Sequence, residues 1–323
     1  MTQPTTETEA PAPMDPGFAA LAAAEAQRSS PPPGALTPAM MRMGYRMMRR
    51  GQDQSPPQDV ETRDLEIGGA EDDLPARLYT PARAEVGTGL LVYFHGGGFV
   101  VGDLDSHDGH CRRLATYSGH RVLAVDYRLA PEHRFPAAHD DALAAIRWAL
   151  AHAESLGADP RRVAIGGDSA GANLALSAAL DLRDEAVRPM FLLLLYPLTF
   201  PAEETVSRQT FDGPVVNRAA LAGSEAAYGV RGHAQSHRAL LDGRDLAGAP
   251  PAFVMTVGHD PMRDEGRRLA RRLSEAGAKT VAVEHPALVH EFLLMPDLSA
   301  TVLPIAESLG RVLDDALCAA RTG

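Results

Sequence analysis

One short segment contains a serine with the spacing of a catalytic nucleophile. Residues 166–171 read Gly-Gly-Asp-Ser-Ala-Gly, so Ser169 stands between Gly167 and Gly171 in a G-x-S-x-G pattern. The apolar run before it predicts a strand, and residues 170–182 predict a helix. On such a strand-to-helix turn a serine projects above the sheet, and the N–H groups of the helix N-terminus point at whatever binds beside it. The pattern predicts acyl transfer by Ser169; the alternative is a helix-capping serine in a glycine turn.

A serine nucleophile needs a carboxylate that orients its base, and in this layout the carboxylate follows the serine along the chain. The apolar run 252–258 predicts a strand, after which the sequence offers Asp260, Asp264 and Glu265. Asp264 and Glu265 have the placement of first-turn acids that complement the dipole of the next helix. We therefore predict that Asp260, the acid nearest the strand end, orients the base.

The base itself is expected after the last strand. The sequence there offers His285 and His290. We assign His285 to the strand, where it packs or lies at the surface. His290 is expected after a four-residue loop and before a helix, which is the position that a general base needs in this layout. We predict that His290 takes the proton of Ser169.

A glycine-rich segment after another predicted strand could stabilise the negative charge that develops in acyl transfer. Residues 95–98 read His-Gly-Gly-Gly and follow the apolar run 89–94. Glycines let the backbone approach a substrate closely, so we predict that the N–H groups of Gly97, Gly98 and Ala170 form an oxyanion hole. A phosphate-binding loop is disfavoured because the lysine and the serine or threonine of a P-loop are missing. His95 is expected to be a structural hydrogen-bonding residue.

A second cluster of polar side chains could in principle bind a metal. Asp105, His107 and His110 stand within six residues. The more economical interpretation is that Asp105 or Ser106 caps the following helix and that the histidines are exposed or hydrogen-bonded. The predicted acyl-transfer chemistry needs neither a cofactor nor a metal.

The elements that must position these residues follow an α/β pattern. Two segments, 63–69 and 74–81, resemble paired antiparallel strands. Six further runs are apolar throughout, which is typical of parallel strands buried on both faces. They are residues 89–94, 121–127, 162–167, 191–197, 252–258 and 279–285. Helical patterns lie between them, so the sequence predicts a mostly parallel, eight-stranded, doubly wound sheet.

The remaining segments predict a tail and a helical cap. Residues 1–17 are rich in Pro, Thr, Glu and Ala and are predicted to be a disordered tail, whereas residues 18–59 predict helices. Residues 60–323 form the predicted catalytic domain, with a cap insertion at about 198–248. Five methionines between Met40 and Met48 share a helical segment. They predict either packing onto the domain or a flexible cover over an apolar pocket.

Composition excludes several classes of protein. The net charge is −11 and the estimated pI is 5.5, so nothing attracts nucleic acid or an anionic membrane. No apolar run of about 18 residues is present, which argues against a transmembrane helix. The only cysteines are Cys111 and Cys318, and the N-terminus lacks the pattern of a signal peptide. These features favour a cytoplasmic protein with two reduced thiols.

Together these segments resemble one known family, the bacterial hormone-sensitive-lipase-like esterases of the α/β-hydrolase fold. The resemblance rests on HGGGFVVGDLDSHD (95–108), DYRLAPEHRFPAAHDDA (126–142), GGDSAGANLA (166–175), DPMRDEG (260–266) and VHEF (289–292). It implies an α/β-hydrolase fold with a helical cap and a carboxylester hydrolase that favours short to medium acyl chains. It also implies the triad Ser169, Asp260 and His290, with Gly97 and Gly98 in the oxyanion hole.

Two residues depart from the family pattern. Ala172 and Glu291 stand where the family often has glycine. Glu291 directly follows the predicted base, so its carboxylate could raise the pKa of His290 or hinder the mouth of the pocket, unless its side chain points outward.

Other activities fit the same residues. An amidase or lactonase would use the same triad, and a catalytically silent small-molecule receptor could share the fold. The predicted partner is a small-molecule ester, and an exposed edge at the final strand would permit a homodimer.

Overall fold

Eight strands form one sheet in the order β1-β2-β4-β3-β5-β6-β7-β8. This computed structural model describes residues 12–27 and 35–319. The strands are β1 (Val60–Ile67), β2 (Leu74–Pro81), β3 (Thr88–Phe94), β4 (Arg121–Val125), β5 (Ala158–Asp168), β6 (Phe191–Leu195), β7 (Ala252–His259) and β8 (Thr280–Val289). β2 is antiparallel to both of its neighbours, and the other neighbouring pairs are parallel. The predicted mostly parallel eight-stranded sheet is confirmed.

Helices cover both faces of this sheet. They are α1 (Pro16–Ala26), α2 (Pro38–Gly51), α3 (Asp108–Ser118), α4 (Ala137–His152), α5 (Ala170–Asp181), α6 (Val206–Thr210), α7 (Arg218–Tyr228), α8 (Arg263–Glu275) and α9 (Val302–Cys318). Buried side chains of α4, α5 and α8 form one apolar core, and those of α1, α3 and α9 form the other. Along β3, Val92 and Phe94 enter the first core, whereas Leu91 and Tyr93 enter the second. Burial on both faces explains why the β3 sequence is apolar throughout.

The last strand is longer than its sequence pattern predicts. β8 continues to Val289, so His290 directly follows the strand and the predicted four-residue loop is absent. Proline has no N–H to donate, and Pro286 therefore resembles a strand break in the sequence. β8 is an edge strand, however, and one side of an edge strand needs no ladder hydrogen bonds, so Pro286 is tolerated there.

The predicted N-terminal tail ends earlier than residue 17. The side chain of Asp15 accepts a hydrogen bond from the Gly17 N–H (3.0 Å) and so caps α1, and the Asp15 N–H donates to the Ala287 carbonyl (2.9 Å). Phe18 is fully buried in the core. Residues 1–11 of the predicted tail and residues 28–34 lie outside the described residues.

The methionines of α2 do not pack as the first interpretation proposed. Met40, Met43 and Met47 are 53%, 63% and 68% exposed, and only Met41 packs against the core. Met48 is partly exposed and lines the cavity above Ser169. Packing of these methionines onto the domain was therefore the wrong prediction for four of the five residues.

The segment between β6 and β7 interrupts the alternation of strands and helices. It contains α6, α7 and two short 3-10 turns, Ser236–Arg238 and Leu241–Gly243. It covers the carboxyl end of the sheet, where Leu221 and Ser224 of α7 line the cavity above Ser169. Within residues 12–27 and 35–319, no helix combines the length and the apolar character that crossing a membrane requires.

Candidate active site

Ser169 lies on a strained turn between β5 and α5. Its backbone has φ 53° and ψ −115°, a conformation that residues other than glycine rarely adopt. The turn has no space for side chains at its flanking glycines. A Cβ on Gly167 or Gly171 would lie 2.3 Å or 1.9 Å from the Phe94 carbonyl oxygen. The two glycines of the motif therefore let the turn pack against the end of β3 and hold Ser169 above the sheet.

Backbone hydrogen bonds fix the turn against the next strand. The Ser169 N–H donates to the Leu195 carbonyl (2.9 Å), and the Leu198 N–H donates to the Ser169 carbonyl (3.1 Å). These bonds hold the elbow at the carboxyl end of the parallel strands, where open α/β sheets bind ligands.

The predicted acid and base are brought together at the same end of the sheet. Nδ1 of His290 lies 2.7 Å from Oδ2 of Asp260, and both side chains are buried. The other carboxylate oxygen of Asp260 accepts the Met262 N–H at 2.8 Å. A carboxylate only accepts hydrogen bonds, so Nδ1 of His290 is the donor and Nε2 carries the lone pair. This tautomer is the one that a general base requires.

The free nitrogen of His290 is also buried. Among the residues that the structure describes, Nε2 has no hydrogen-bond partner, and no hydrogen bond joins it to Ser169. The ring of Tyr196 packs edge-on against the imidazole, with 4.8 Å between centroids. Nucleophile–base contacts are often long in unliganded enzymes and shorten only when substrate binds.

Two of the three predicted oxyanion-hole residues, Gly97 and Gly98, border the cavity above Ser169. Gly97 and Gly98 have φ of 107° and 62° and line the cavity with Ser169. A Cβ on Gly98 would lie 2.7 Å from Oγ of Ser224. Within residues 12–27 and 35–319, the N–H groups of Gly97 and Gly98 donate no hydrogen bond. Ala170 is the first residue of α5, where an N–H has no acceptor within the helix.

Asp168 supports this loop, and the sequence interpretation gave it no role. Its Oδ1 accepts the Tyr93 hydroxyl at 2.7 Å and the Gly96 N–H at 3.0 Å, and it lies 3.4 Å from Nε2 of His107. Burial alone would raise the pKa of this carboxyl, but His107 and the donated hydrogen bonds hold it far below its ordinary range. A permanent anion thus anchors the glycine loop to the elbow.

Glu291 points inward, contrary to the possibility that its side chain faces solvent. It is 3% exposed, has φ 58°, and forms a buried ion pair with Arg49 of α2. The charged residue after His290 was visible in the sequence. Its partner was not, because the two residues are 242 positions apart.

The cavity above Ser169 is small and mostly apolar. Its volume is about 160 Å³, below the roughly 300 to 1,000 Å³ of pockets for drug-sized ligands. Apolar side chains on its wall are Met48, Val101, Leu198, Val215, Val216, Ala220, Leu221 and Met262, and polar ones besides Ser169 are Tyr45, Arg49, Ser224 and Glu291. A cavity of this size and lining fits a small, largely apolar ester.

The remaining candidates from the sequence lie away from Ser169 or have other partners. Glu265 binds Arg208 (3.1 Å) and Thr199 (3.2 Å), and Asp264 accepts the Ser207 N–H (2.9 Å). His285 lies in β8, as predicted.

The histidines near the glycine loop are buried. His95 stacks on Tyr127, with 4.3 Å between ring centroids. His107 takes the N-cap position of α3 without a side-chain capping bond, so the cap predicted at Asp105 or Ser106 was wrong. Instead, Ser106 and Asp103 bond one another through their side chains and backbone N–H groups.

The pKa of His290 leads to a pH prediction. Burial lowers this pKa, but the Asp260 carboxylate, together with Glu291 and Asp168, outweighs burial and holds it above the ordinary value of 6.5. The neutral imidazole is the active form, so kcat/KM should fall on acidification with a midpoint above pH 6.5. A pH–rate profile of kcat/KM with a neutral ester, between about pH 5 and pH 9, measures the midpoint. An acid limb centred clearly below pH 6.5 would contradict the assignment.

Comparison with known proteins identifies the family to which the chain belongs. A family model described as alpha/beta hydrolase fold matches residues 91–294. Carboxylesterase NlhH of Mycobacterium tuberculosis is 38% identical over 261 residues, which cover 79% of this chain and 81% of the relative. Ethyl acetate hydrolase of Pseudomonas putida is 37% identical over 229 residues, which cover 69% of this chain and 72% of the relative.

Solved structures give the same result. An ester hydrolase from the metagenome of Lake Arreo is 36% identical, with a TM-score of 0.87, and the match covers 94% of this chain and 98% of that chain. A hyperthermophilic esterase of Pyrobaculum calidifontis is 33% identical, with a TM-score of 0.85 and coverage of 94% and 99%. Fold, site and relatives together define an ester hydrolase. The chain belongs to the α/β-hydrolase family, within its bacterial hormone-sensitive-lipase-like esterases.

Proposed function

We propose that Ser169, His290 and Asp260 hydrolyse carboxylic esters with short to medium acyl chains through an acyl-enzyme intermediate. The observation that carries the proposal is the 2.7 Å contact between Nδ1 of His290 and Asp260, which leaves the lone pair of Nε2 available at the cavity end of the sheet. The strained backbone of Ser169 at the carboxyl end of β5 supports the role of nucleophile.

The first step forms the acyl-enzyme. Oγ of Ser169 attacks the ester carbonyl carbon while Nε2 of His290 takes the hydroxyl proton. The carbonyl oxygen becomes an oxyanion and accepts hydrogen bonds from the N–H groups of Gly97, Gly98 and Ala170. Asp260 holds the imidazole in the required tautomer and stabilises the imidazolium. His290 then gives the proton to the leaving alcohol as the carbon–oxygen bond breaks.

The second step repeats this sequence with water. His290 takes a proton from water, the resulting hydroxide attacks the acyl carbon, and the Ser169 oxygen leaves with the proton returned by His290. The carboxylic acid is released and the enzyme is restored. The cycle is complete in protons and electrons with water as the only co-substrate.

Cavity size supports the limit on chain length. About 160 Å³ above Ser169 accommodates small acyl and alcohol groups, and Leu221 of α7 forms part of the wall. Longer acyl chains must displace this wall, so burying them stabilises the transition state less.

A series of p-nitrophenyl esters from acetate to palmitate tests the proposal. We expect kcat/KM to peak at acyl chains of about two to eight carbons and to fall at least roughly tenfold at palmitate, since one methylene is worth about 1 kcal/mol or more in a fitted pocket. Leu221→Ala should raise the relative rate on the longer esters. Leu303→Ala, at an exposed leucine of α9, is the matched control and should leave the profile unchanged. A wild-type optimum at palmitate, or faster turnover of p-nitroanilides than of esters, would contradict the proposal.

Two narrower expectations stay predictions, namely a cytoplasmic location and a homodimer. Cys111 is buried as a free thiol, which fits a reducing compartment. The outer edge of β8 is the sheet edge along which a second copy could pair, and Val281 there is half exposed.

A further inference from the structure

Helix α2 docks on the catalytic domain through arginines. Arg42 donates to the carbonyls of Val100 and Ala130, both at 2.9 Å, and Arg46 bonds Asp103 at 2.7 Å. The only fully buried side chain of the whole helix is Arg49. A buried cation is an unusual anchor for a surface helix, because an apolar side chain would fill the same space without losing hydration.

Arg49 reaches the residue next to the predicted base. One guanidinium nitrogen bonds the Gln52 side chain at 2.9 Å, and another forms the ion pair with Glu291. The ring of Tyr45 lies under the guanidinium, 4.9 Å from centroid to Cζ. At 2% and 3% exposure, Arg49 and Glu291 are both removed from water. The planar fork of arginine suits a site that needs several directed hydrogen bonds.

The chain after His290 is attached to α2 at a second point. The Asp297 N–H donates to the Gln52 carbonyl (3.2 Å), and the Asp297 carboxylate accepts the Gln54 N–H (2.8 Å). Residues 291–297 and the end of α2 thus form one hydrogen-bonded unit. A shift of α2 would be transmitted to the segment that begins at His290.

Energetics favour a geometric role for the ion pair. Desolvation of two buried ions often cancels their attraction, so such a pair adds little net stability, whereas removal of one partner leaves an unpaired buried charge. Glu291 also holds a left-handed backbone conformation that glycine would adopt without strain. Because the pair adds little net stability, we expect that this strained and desolvated carboxylate is retained because it positions the neighbouring base.

The pair also belongs to the wall of the reaction cavity. Arg49 and Glu291 line it together with Tyr45 and Met48 of the same helix and with Ser169. The position of α2 therefore sets one wall of the cavity and the start of the segment that follows His290.

We propose that Arg49 and Glu291 are positioning residues, which couple the docked position of helix α2 to the orientation of His290. This inference rests on the proposed function, because it takes His290 as the base. Neither side chain transfers a proton. The pair fixes the position of the His290 imidazole relative to the cavity wall. Loss of the pair loosens the C-terminal end of α2 and misaligns His290, while Arg42 and Arg46 keep the rest of the helix docked.

The decisive experiment compares the double variant Arg49→Met/Glu291→Met with the wild type. An apolar replacement of a buried pair is often neutral for stability, so the melting temperature should stay within a few degrees. We expect kcat/KM for p-nitrophenyl butyrate to fall at least roughly tenfold, since small misplacements of catalytic groups are costly. Amide hydrogen exchange in α2 and in residues 291–297 should accelerate. Arg50→Gln, at an exposed arginine of the same helix that pairs with Asp105 (3.0 Å), is the matched control and should change neither readout.

A single variant adds a signature that packing alone does not give. The charged groups that act on His290 are Asp260 after β7, Asp168 at the end of β5 and Glu291 itself, and the ring of Tyr196 after β6 packs against the imidazole. Tyr45 and Arg49 of α2 act on Tyr196 in turn. Glu291 contributes to the raised pKa of His290. Glu291→Gln removes this anion and retains the Arg49 cation, so the acid limb of kcat/KM should move to lower pH.

Wild-type kcat, KM and exchange in the double variant would overturn the inference. If that variant does not fold, Arg49→Lys replaces it, because lysine retains the charge but lacks the fork that spans Gln52 and Glu291. The kcat/KM of Arg49→Lys should be about threefold to tenfold below that of the wild type, and the pH midpoint of its acid limb should stay unchanged. Wild-type kinetics there would likewise overturn it. Failure of the proposed function is distinguishable, because hydrogen exchange in α2 reports the attachment even without ester hydrolysis.

Discussion

Ser169→Ala should reduce ester hydrolysis by at least about 10⁴-fold, because removal of a triad nucleophile leaves only binding and oxyanion stabilisation. The substitution deletes one oxygen and adds no atom to a turn whose neighbours leave no free space. We expect the fold to be unchanged and the melting temperature to stay within a few degrees. The measurement is kcat/KM for p-nitrophenyl butyrate, with thermal unfolding of both proteins.

Covalent labelling distinguishes loss of the nucleophile from loss of the pocket. A p-nitrophenyl dialkyl phosphate should add one dialkyl phosphoryl group to the wild type by mass spectrometry and none to Ser169→Ala. Ser177→Ala, two turns along the same helix, is the matched control and should label like the wild type. Labelling or turnover that survives in Ser169→Ala would mean that another residue is the nucleophile.

Much of the fold could be predicted because its signals are local. Strands buried on both faces need unbroken apolar runs, and the runs at β3 and β7 are of this kind. The elbow was equally visible, because its signal is the short G-x-S-x-G spacing. The structure explains this spacing, since a Cβ on Gly167 or Gly171 would collide with the Phe94 carbonyl oxygen. The end of β8 was not visible, because a proline signals a break unless the strand lies at an edge, and edge position depends on the whole sheet.

The cap shows where sequence patterns fail. The alternation of methionine and arginine in α2 identifies an amphipathic helix but does not say which face contacts the domain. Burial of the methionine face is the default expectation, yet acidic or carbonyl partners from distant segments bind Arg42, Arg46 and Arg49 instead. Tertiary pairing decided the orientation of the helix. Residues such as Glu291 that depart from a family pattern therefore direct attention to positions where such pairing has changed.

Asp260→Asn should lower kcat by about 10³- to 10⁴-fold, because it changes the tautomer of His290. Asp260 accepts two hydrogen bonds, one from the Met262 N–H at 2.8 Å and one from Nδ1 of His290 at 2.7 Å. An asparagine whose amide oxygen stays on the Met262 N–H presents its NH₂ group to Nδ1. Nδ1 must then accept, the imidazole proton moves to Nε2, and Nε2 no longer takes the Ser169 proton. In the opposite amide orientation the oxygen accepts from Nδ1, but the NH₂ group then faces the Met262 N–H. Two donors facing each other in a buried site are costly, so this orientation is no better.

The same measurement decides between the acids that follow β7. Glu265→Gln is the matched control, because Glu265 contacts Arg208 and Thr199 and makes no hydrogen bond to His290. Burial raises the pKa of Glu265 to about 7, so a neutral amide resembles the form that this side chain already adopts in part near neutral pH. We expect kcat of Glu265→Gln to stay within about tenfold of the wild type, because its contacts concern the cap. A larger loss in Glu265→Gln than in Asp260→Asn would transfer the orienting role to Glu265, since only the residue that fixes the tautomer can stop proton transfer while Ser169 remains in place.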